Sequence, residues 1–323
     1  MKKILIAEIS GKRPGTYKQR PTELFETCHD HIVISNNSEG YTSTWPIINV
    51  PDDYREWYVS NMKNSENAWY APMNRSYAIK YAREHGYDYL VQLDDNINLL
   101  EIASIKKEDG HILRRRITGI HMFDDFVTML ACVLDNTNAA MAGFDLAGIS
   151  EPTTKFLSER YCYSFFMLNL SCCPDVFHGD FEDDIEYRLK CAQMGRPVVQ
   201  VVPMRYGKTG QNKTKDLTGC RAEYLKKGVL RGEHMSKLYG DVYSARMRNI
   251  GHSVNAKREA ENANFKHDLK TWKVGVIVYN MEAMEDCLAN ILKKYPVKIK
   301  SSCIVKEKRK KVKTERQAIT NAG

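Results

Sequence analysis

The 323-residue sequence predicts an α/β fold: a mixed, mostly parallel sheet with helices on both faces, followed by a small basic α+β extension. Three observations carry this. The run from Tyr87 to Asn96 (YDYLVQLDDN) is apolar, follows Gly86, and closes on two carboxylates and an amide, the pattern of a buried strand with acids at its C-terminal end. Just before it, Ala78, Tyr81 and Ala82 fall on one face of a helix over 73–85, and Gly86 stands where glycine ends helices. A helix that feeds directly into a strand is the signature of a parallel sheet. Further short apolar runs then alternate with amphipathic stretches as far as Val202.

Taken in order, residues 3 to 9 form the first strand. Ser10, Gly11, Lys12 and Arg13, with Pro14 and Gly15, form a loop at its C-terminal end. Strands follow at 31–35 and 47–50, and residues 52–69 read as a helix and a loop. Asn74 and Arg75 open the helix before the Asp94 strand. Residues 101–122 are polar and basic, with Arg114, Arg115 and Arg116 in a row, and are given no element. An amphipathic helix is expected over 122–134, a strand or buried turn over 139–144, a loop over 145–160 and a strand over 164–170. Ile185, Leu189 and Ala192 share a helical face, so a helix starts among Glu182, Asp183 and Asp184 and ends at Gly195. First-turn acids favour a helix through its dipole, but five acids in seven residues (180–186) exceed what that needs. After a strand at 198–202, residues 206–214 read as a glycine- and lysine-bearing loop containing Lys208, suited to phosphate although it is not a Walker A pattern.

The style changes beyond Gly219. Residues 1–219 read as one domain and 220–323 as the extension. Within the latter, charged helices are expected at 220–238 and 253–270, a strand at 272–279, an amphipathic helix at 281–294 and a strand at 297–305. The basic run Lys306 to Lys313 is a solvated face or a nucleic-acid contact.

Hydrophobic content of 43% and charged content of 27% are ordinary for a globular chain. No apolar run approaches the roughly 18 residues of a membrane span. The N-terminal run is cut at Glu8, too short for a signal peptide. Nine cysteines without a C-x-x-C pair read as reduced thiols of a cytoplasmic protein rather than a zinc site. A net charge of +8 points towards a polyanionic partner.

Asp94, Asp95 and Asn96 offer hard oxygen ligands suited to Mn²⁺ or Mg²⁺ shared with substrate phosphates. The bland alternative is a solvated acidic turn. The combination of a Gly/Arg loop after the first strand, Asn74 and Arg75 on a helix, the Asp94–Asp95–Asn96 corner, and the later Phe181–Glu182–Asp183–Asp184 stretch resembles a GT-A nucleotide-sugar glycosyltransferase. Within that fold, the order and the Leu-Asp-Asp context resemble the phage TET-associated glycosyltransferases. The resemblance covers about residues 3–215. It implies that Ser10, Gly11, Lys12, Arg13, Asn74, Arg75 and Lys208 meet a UDP-sugar, and that Asp94, Asp95 and Asn96 hold the metal. It further implies that Glu182, Asp183 or Asp184 is the catalytic base, and that the acceptor is a 5-hydroxymethylated pyrimidine in DNA. Asn96 departs from the family pattern, since an acid is usual there.

That assignment is chemically coherent. A metal would act as Lewis acid on the departing diphosphate, and Arg75 with Lys12 or Arg13 would add positive charge. Asp183 is the preferred base, because an acid cluster raises a carboxyl pKa towards neutrality; His178 competes. A glucose- or arabinose-like sugar would pass to a flipped-out or single-stranded base. Three rivals stand beside this reading: a metal-dependent nuclease, a non-enzymatic nucleic-acid binder, and a glycosyltransferase with a non-DNA acceptor.

Overall fold

The computed structural model describes residues 2–11, 20–62, 70–108, 111–147, 155–178, 183–209, 236–237, 239–240, 244–247, 265–268 and 273–295. A ten-stranded mixed sheet forms its centre. Its strands are β1 (Ile4–Ser10), β2 (Asp30–Ser35), β3 (Ile47–Asn49), β4 (Tyr89–Asp94), β5 (Ile97–Glu108), β6 (His111–Thr118), β7 (Met141–Leu146), β8 (Leu157–Glu159), β9 (Phe165–Asn169) and β10 (Val198–Lys208). The order is β3-β2-β1-β4-β9-β7-β10-β5-β6, with β8 paired to β10. The β3-β2-β1-β4 half is parallel, as is β7–β10; β4–β9, β7–β9, β10–β5 and β5–β6 are antiparallel.

Helices cover both faces, as expected. The pleat of β1 sends Ile4 and Ile6 to one face, Leu5 and Ala7 to the other. The first face packs under α3 (Phe123–Asp135) through Phe126, Val127, Leu130 and Val133. The second packs under three helices: α1 (Asp52–Asn61), α2 (Tyr70–Glu84) and α4 (Asp183–Gln193). Gly86 ends α2 with φ +69°, a left-handed conformation that costs glycine nothing.

A last helix, α5 (Met281–Lys294), lies on α3. Its Met284 and Ile291 are buried in the same cluster as the first face of the sheet. Lys294 Nζ donates to Asp125 Oδ1 at 2.5 Å. So the amphipathic stretch at 281–294 shares the core built by the N-terminal residues.

Several expectations are corrected. Residues 101–118, left without an element, lie in a long antiparallel hairpin of β5 and β6. Ile97, Leu100 and Ile102 anchor its base in the core, but only Leu100 and Ile102 keep the spacing of two before the charges begin. Residues 206–208 are not a loop: β10 continues through them because Met204 to Lys208 pair with β5. The loop at 145–160 contains the short strand β8. Residues 273–280 make one isolated bridge, Thr137 to Val278, rather than a strand, being tied to the end of α3 through Asn136 and Asn138. Phe265–Asp268, expected as helix, is a strand (β12) paired with Ser244–Met247 (β11). The expected strand at 297–305 and the basic run at 306–313 lie outside the described residues.

Candidate active site

β4 delivers its acids as the apolar run implies. Leu90, Gln92 and Asp94 alternate with Val91 and Leu93, so the first three face the side covered by α2 and α4. Thr22 Oγ1 holds the corner, donating to Asp94 O at 2.6 Å and accepting from Ile97 N at 3.1 Å. The chain turns through Asp95 and Asn96 and enters β5.

Arg75, on α2, reaches down onto this face. Its Nη2 donates to Asp94 Oδ1 at 2.7 Å and its Nη1 to Gln92 Oε1 at 3.3 Å. Gln92 returns a bond to Arg75 O at 2.9 Å. The guanidinium lies over the Phe166 ring, 5.2 Å from its centroid, and its Nε is 3.6 Å from Asp183 Oδ2 at the start of α4. Arg75 is therefore a fixed cation between two carboxylates. From the other side Lys208 Nζ, at the end of β10, donates to Asp94 Oδ2 at 3.2 Å and to Ser164 Oγ at 2.8 Å.

Electrostatics follow from this alternation. Burial opposes ionisation of Asp94, but Lys208 and Arg75 outweigh it and hold its carboxyl down at about 2. Burial raises Asp183 above the usual carboxylate range; Arg75 pulls it back and Asp94 pushes it up further. Two neighbouring carboxylates thus have opposite tendencies, one ionised throughout and one poised to take a proton.

Next to this quartet, Ser10 Oγ donates to Asp95 Oδ2 at 2.8 Å and bonds Tyr41 Oη at 2.9 Å. Asn74 Nδ2 donates to Ser10 O at 2.8 Å and to Asn36 Oδ1 at 3.3 Å. Gly11 belongs to the same cradle: a Cβ there would lie 2.5 Å from Asn36 Oδ1. Beneath it, Arg20 donates twice to the buried Glu8 Oε1, at 3.0 and 2.7 Å. Burial, opposed by Arg20 and aided by Asp95, pushes Glu8 up to about 8.

The structure thus brings Ser10, Gly11, Asn74, Arg75, Asp94, Asp95, Asp183 and Lys208 to the C-terminal ends of β1 and β4. Asp184 follows Asp183 in the first turn of α4. Lys12, Arg13 and Glu182 lie outside the described residues. His178 is half-buried against Lys190 and Glu186 of α4, and burial and Lys190 depress it to about 4, leaving it neutral at pH 7. Sequence reasoning missed Ser164, Tyr41 and Thr22, all placed by long-range folding without a local signal.

Asp94, Asp95 and Asn96 do not converge as one ligand sphere. Asp94 turns to Arg75 and Lys208, Asp95 to Ser10, and Asn96 Nδ2 to Thr209 O at 3.4 Å. Both Asp94 oxygens are taken by cations, and a divalent ion there would have to displace Lys208. Among the described residues, the group of three His, Cys, Asp or Glu side chains whose ligand atoms gather within 4.8 Å is Cys28, His29 and Asp124. With both Asp94 oxygens on Arg75 and Lys208 the trio makes no shared metal seat in this arrangement, while Asn96 Oδ1 is buried without a hydrogen-bond partner.

A family model described as TET-Associated Glycosyltransferase matches residues 16–216. The chain belongs to this glycosyltransferase family. The match begins after β1 and takes in β2 to β10 with Asn74, Arg75, the Asp94 corner, Asp183 and Lys208, so most of the candidate site of this glycosyltransferase lies inside the family's own region, while Ser10 and Gly11 precede it. No curated protein matches it in sequence. Among solved structures, this TET-associated glycosyltransferase is similar to a crystal structure described as a nucleotide-diphospho-sugar transferase from Desulfovibrio desulfuricans G20. The two share 13% identity with a TM-score of 0.32, over 62% of this chain and 80% of that one. Among its described residues, no helix is long and apolar enough to cross a membrane.

Proposed function

We propose that the protein transfers a glucose- or arabinose-like sugar from a UDP-sugar to a 5-hydroxymethylated pyrimidine, 5-hydroxymethylcytosine first, in DNA. The observation that carries this reading is the Lys208–Asp94–Arg75–Asp183 row within a TET-associated glycosyltransferase. It sets a phosphate-binding cation and a proton acceptor on one surface.

In this reading Asp183 takes the proton from the acceptor hydroxyl. The oxygen attacks the anomeric carbon, the carbon–phosphate-oxygen bond breaks, and the nucleoside diphosphate leaves. Lys208 meets the charge that develops. An ammonium has three N–H donors, and Asp94 and Ser164 take two of them, so the third serves the diphosphate. Arg75 fixes Asp94 and Asp183 in place. Ser10, Gly11, Asn36 and Asn74 line the donor side. Mn²⁺ or Mg²⁺ is left without a joint seat on Asp94, Asp95 and Asn96, so the counter-charge falls to the protein's own cations. The divergence of the three residues also weighs against a two-metal nuclease, whose ions sit about 4 Å apart on shared carboxylates. The free thiols of the described cysteines fit a cytoplasmic setting.

The test is a donor screen. Hydroxymethylcytosine-containing DNA, unmodified DNA and a panel of UDP-sugars are incubated with the protein and digested, and the nucleosides are weighed by mass spectrometry. One sugar mass added only to the hydroxymethylated base is expected. DNA cleavage without a donor, or transfer to none of the DNAs, would overturn the reading.

A further inference from the structure

The β5–β6 hairpin begins where the site ends. Ile97 follows the Asp94–Asp95–Asn96 turn directly and pairs with Lys208 of β10. From there the two strands run antiparallel to the rung Glu108–His111, and β6 is the last strand of the sheet. The register puts one cation on each of five consecutive rungs: Ala103–Arg116, Ser104–Arg115, Ile105–Arg114, Lys106–Leu113 and Lys107–Ile112. Within the paired residues 103–108 and 111–116 the acid is Glu108, on the last rung. On the sequence alone, Arg114 to Arg116 are one of several basic groups available to DNA phosphates. The fold combines them with Lys106 and Lys107 into a charged ribbon.

We infer that this hairpin is a DNA-docking ribbon that grips duplex phosphates to one side of the modified base. The inference rests on the DNA acceptor proposed above. Charge complementarity carries it. Rungs rise about 3.4 Å each and alternate between the two faces of the ribbon, so the Arg116, Arg114 and Lys107 positions share one face over about 14 Å and the Arg115 and Lys106 positions share the other. Duplex DNA presents a phosphate every 1.7 Å of axis or so, and its major groove admits a two-stranded β-ribbon. The base of the hairpin, at the Ile97–Lys208 pair, is continuous with the sugar-transfer site. The first charged rung lies six residues along β5 and the last lies ten, at most about 20 and 34 Å away. At about 3.4 Å per base pair that places the contacts roughly six to ten base pairs from the reacting base. The ribbon thus sets a minimum length of flanking duplex.

Two measurements test this on the full chain. Binding of a fluorescein-labelled 24-base-pair duplex is followed by anisotropy across a salt series for the wild type, R114Q/R115Q/R116Q and R114K/R115K/R116K. Arg114 and Arg116 share a face, so the glutamine variant removes at least two phosphate contacts and lowers the slope of log K against log salt by about 1.8 or more, and affinity at about 0.1 M salt falls at least 10-fold. The lysine variant keeps the wild-type slope, which separates lost charge from lost fold. An unchanged slope in the glutamine variant overturns the proposal. So does a slope that falls for RNA but not for duplex DNA. Transfer is then measured to duplexes carrying the modified base 2, 6, 10 and 14 base pairs from one end. Wild-type kcat/KM is expected to rise up to about ten base pairs and then level, while the glutamine variant stays flat. An equal loss by that variant on a free hydroxymethylated nucleotide overturns the docking role. If the wild type binds through the hairpin but transfers no sugar to any DNA, the acceptor reading fails and the ribbon stands. If sugar is transferred while the salt slope is unchanged, the ribbon fails and the acceptor reading stands.

Discussion

Lys208 at the end of β10 meets Asp94 at the end of β4 across 3.2 Å, joining strands 114 residues apart in the chain. The ammonium is about a quarter exposed, whereas Arg75 on the other Asp94 oxygen is 8% exposed. Of the two cations, Lys208 is the one a ligand can reach.

Lys208→Ala should therefore weaken nucleoside diphosphate binding more than it harms the fold. A charge-assisted hydrogen bond contributes about 1.5–3 kcal/mol, or roughly a 10- to 150-fold change in Kd. Titration calorimetry with UDP reads this directly. A Kd within twofold of wild type would remove Lys208 from the donor site.

Because Asp94, Asp95 and Asn96 diverge, dialysis against EDTA should leave UDP affinity and initial transfer rate within about twofold. Loss of both on chelation, with recovery on adding Mn²⁺, would show that the Asp94 side chain rearranges to take an ion.

Asp183→Asn should lower kcat by about 10²–10⁴, the usual contribution of a general base. The pH profile adds a second readout. Asp183 is raised by burial against the pull of Arg75, and its deprotonated form is the active one. Activity should then climb with pH through a midpoint above the ordinary carboxylate range, and the Asn variant should lack that limb. A wild-type profile that is flat from pH 4 to 8 would exclude this role.

Asp94 makes a stability statement of its own. Its folded value, about 2, lies below the 3.8 of a free aspartate. Its contribution is fully present above the unfolded value and is lost as pH falls through the folded one. That amounts to on the order of 2 kcal/mol between about pH 4 and pH 2. Urea unfolding of Asp94→Asn should be less pH-dependent than wild type across that window; identical slopes would contradict the pairing.

Ile291→Ala removes a fully packed side chain between α5 and α3 and should cost about 2–4 kcal/mol, seen as a lower urea midpoint with an unchanged slope. A change under about 0.5 kcal/mol would mean that α5 does not share the core.

What was legible in the sequence were the features written locally. The period-2 alternation of β1 and β4, the glycine after α2 and the acids opening α4 all sit within a dozen residues of what they specify. The position of Arg75 was legible but its partners were not: Gln92 is 17 residues away and Asp183 over a hundred. Lys208 was placed in a loop because Tyr206, Gly207 and Lys208 carry turn residues. Pairing with Leu100, Leu99 and Ile97 of β5, and of Tyr206 with Leu146 of β7, makes them a strand. The hairpin was missed for the same reason, since arginines and lysines at the sheet edge break the apolar rhythm of its inner half. The metal expectation came from residue types in a row, and adjacency in a turn sends neighbouring side chains to different partners.

The seating of α5 on α3 has a consequence for synthesis. The apolar stripe of Phe126, Val127, Leu130 and Val133 is made early, but the helix that completes its cover emerges roughly 150 residues later, some 10–30 s at ordinary translation rates. During that interval the nascent chain carries the sugar-transfer half with an uncovered flank. Such non-local closure slows folding, so this side of the molecule is sealed only after α5 has been made.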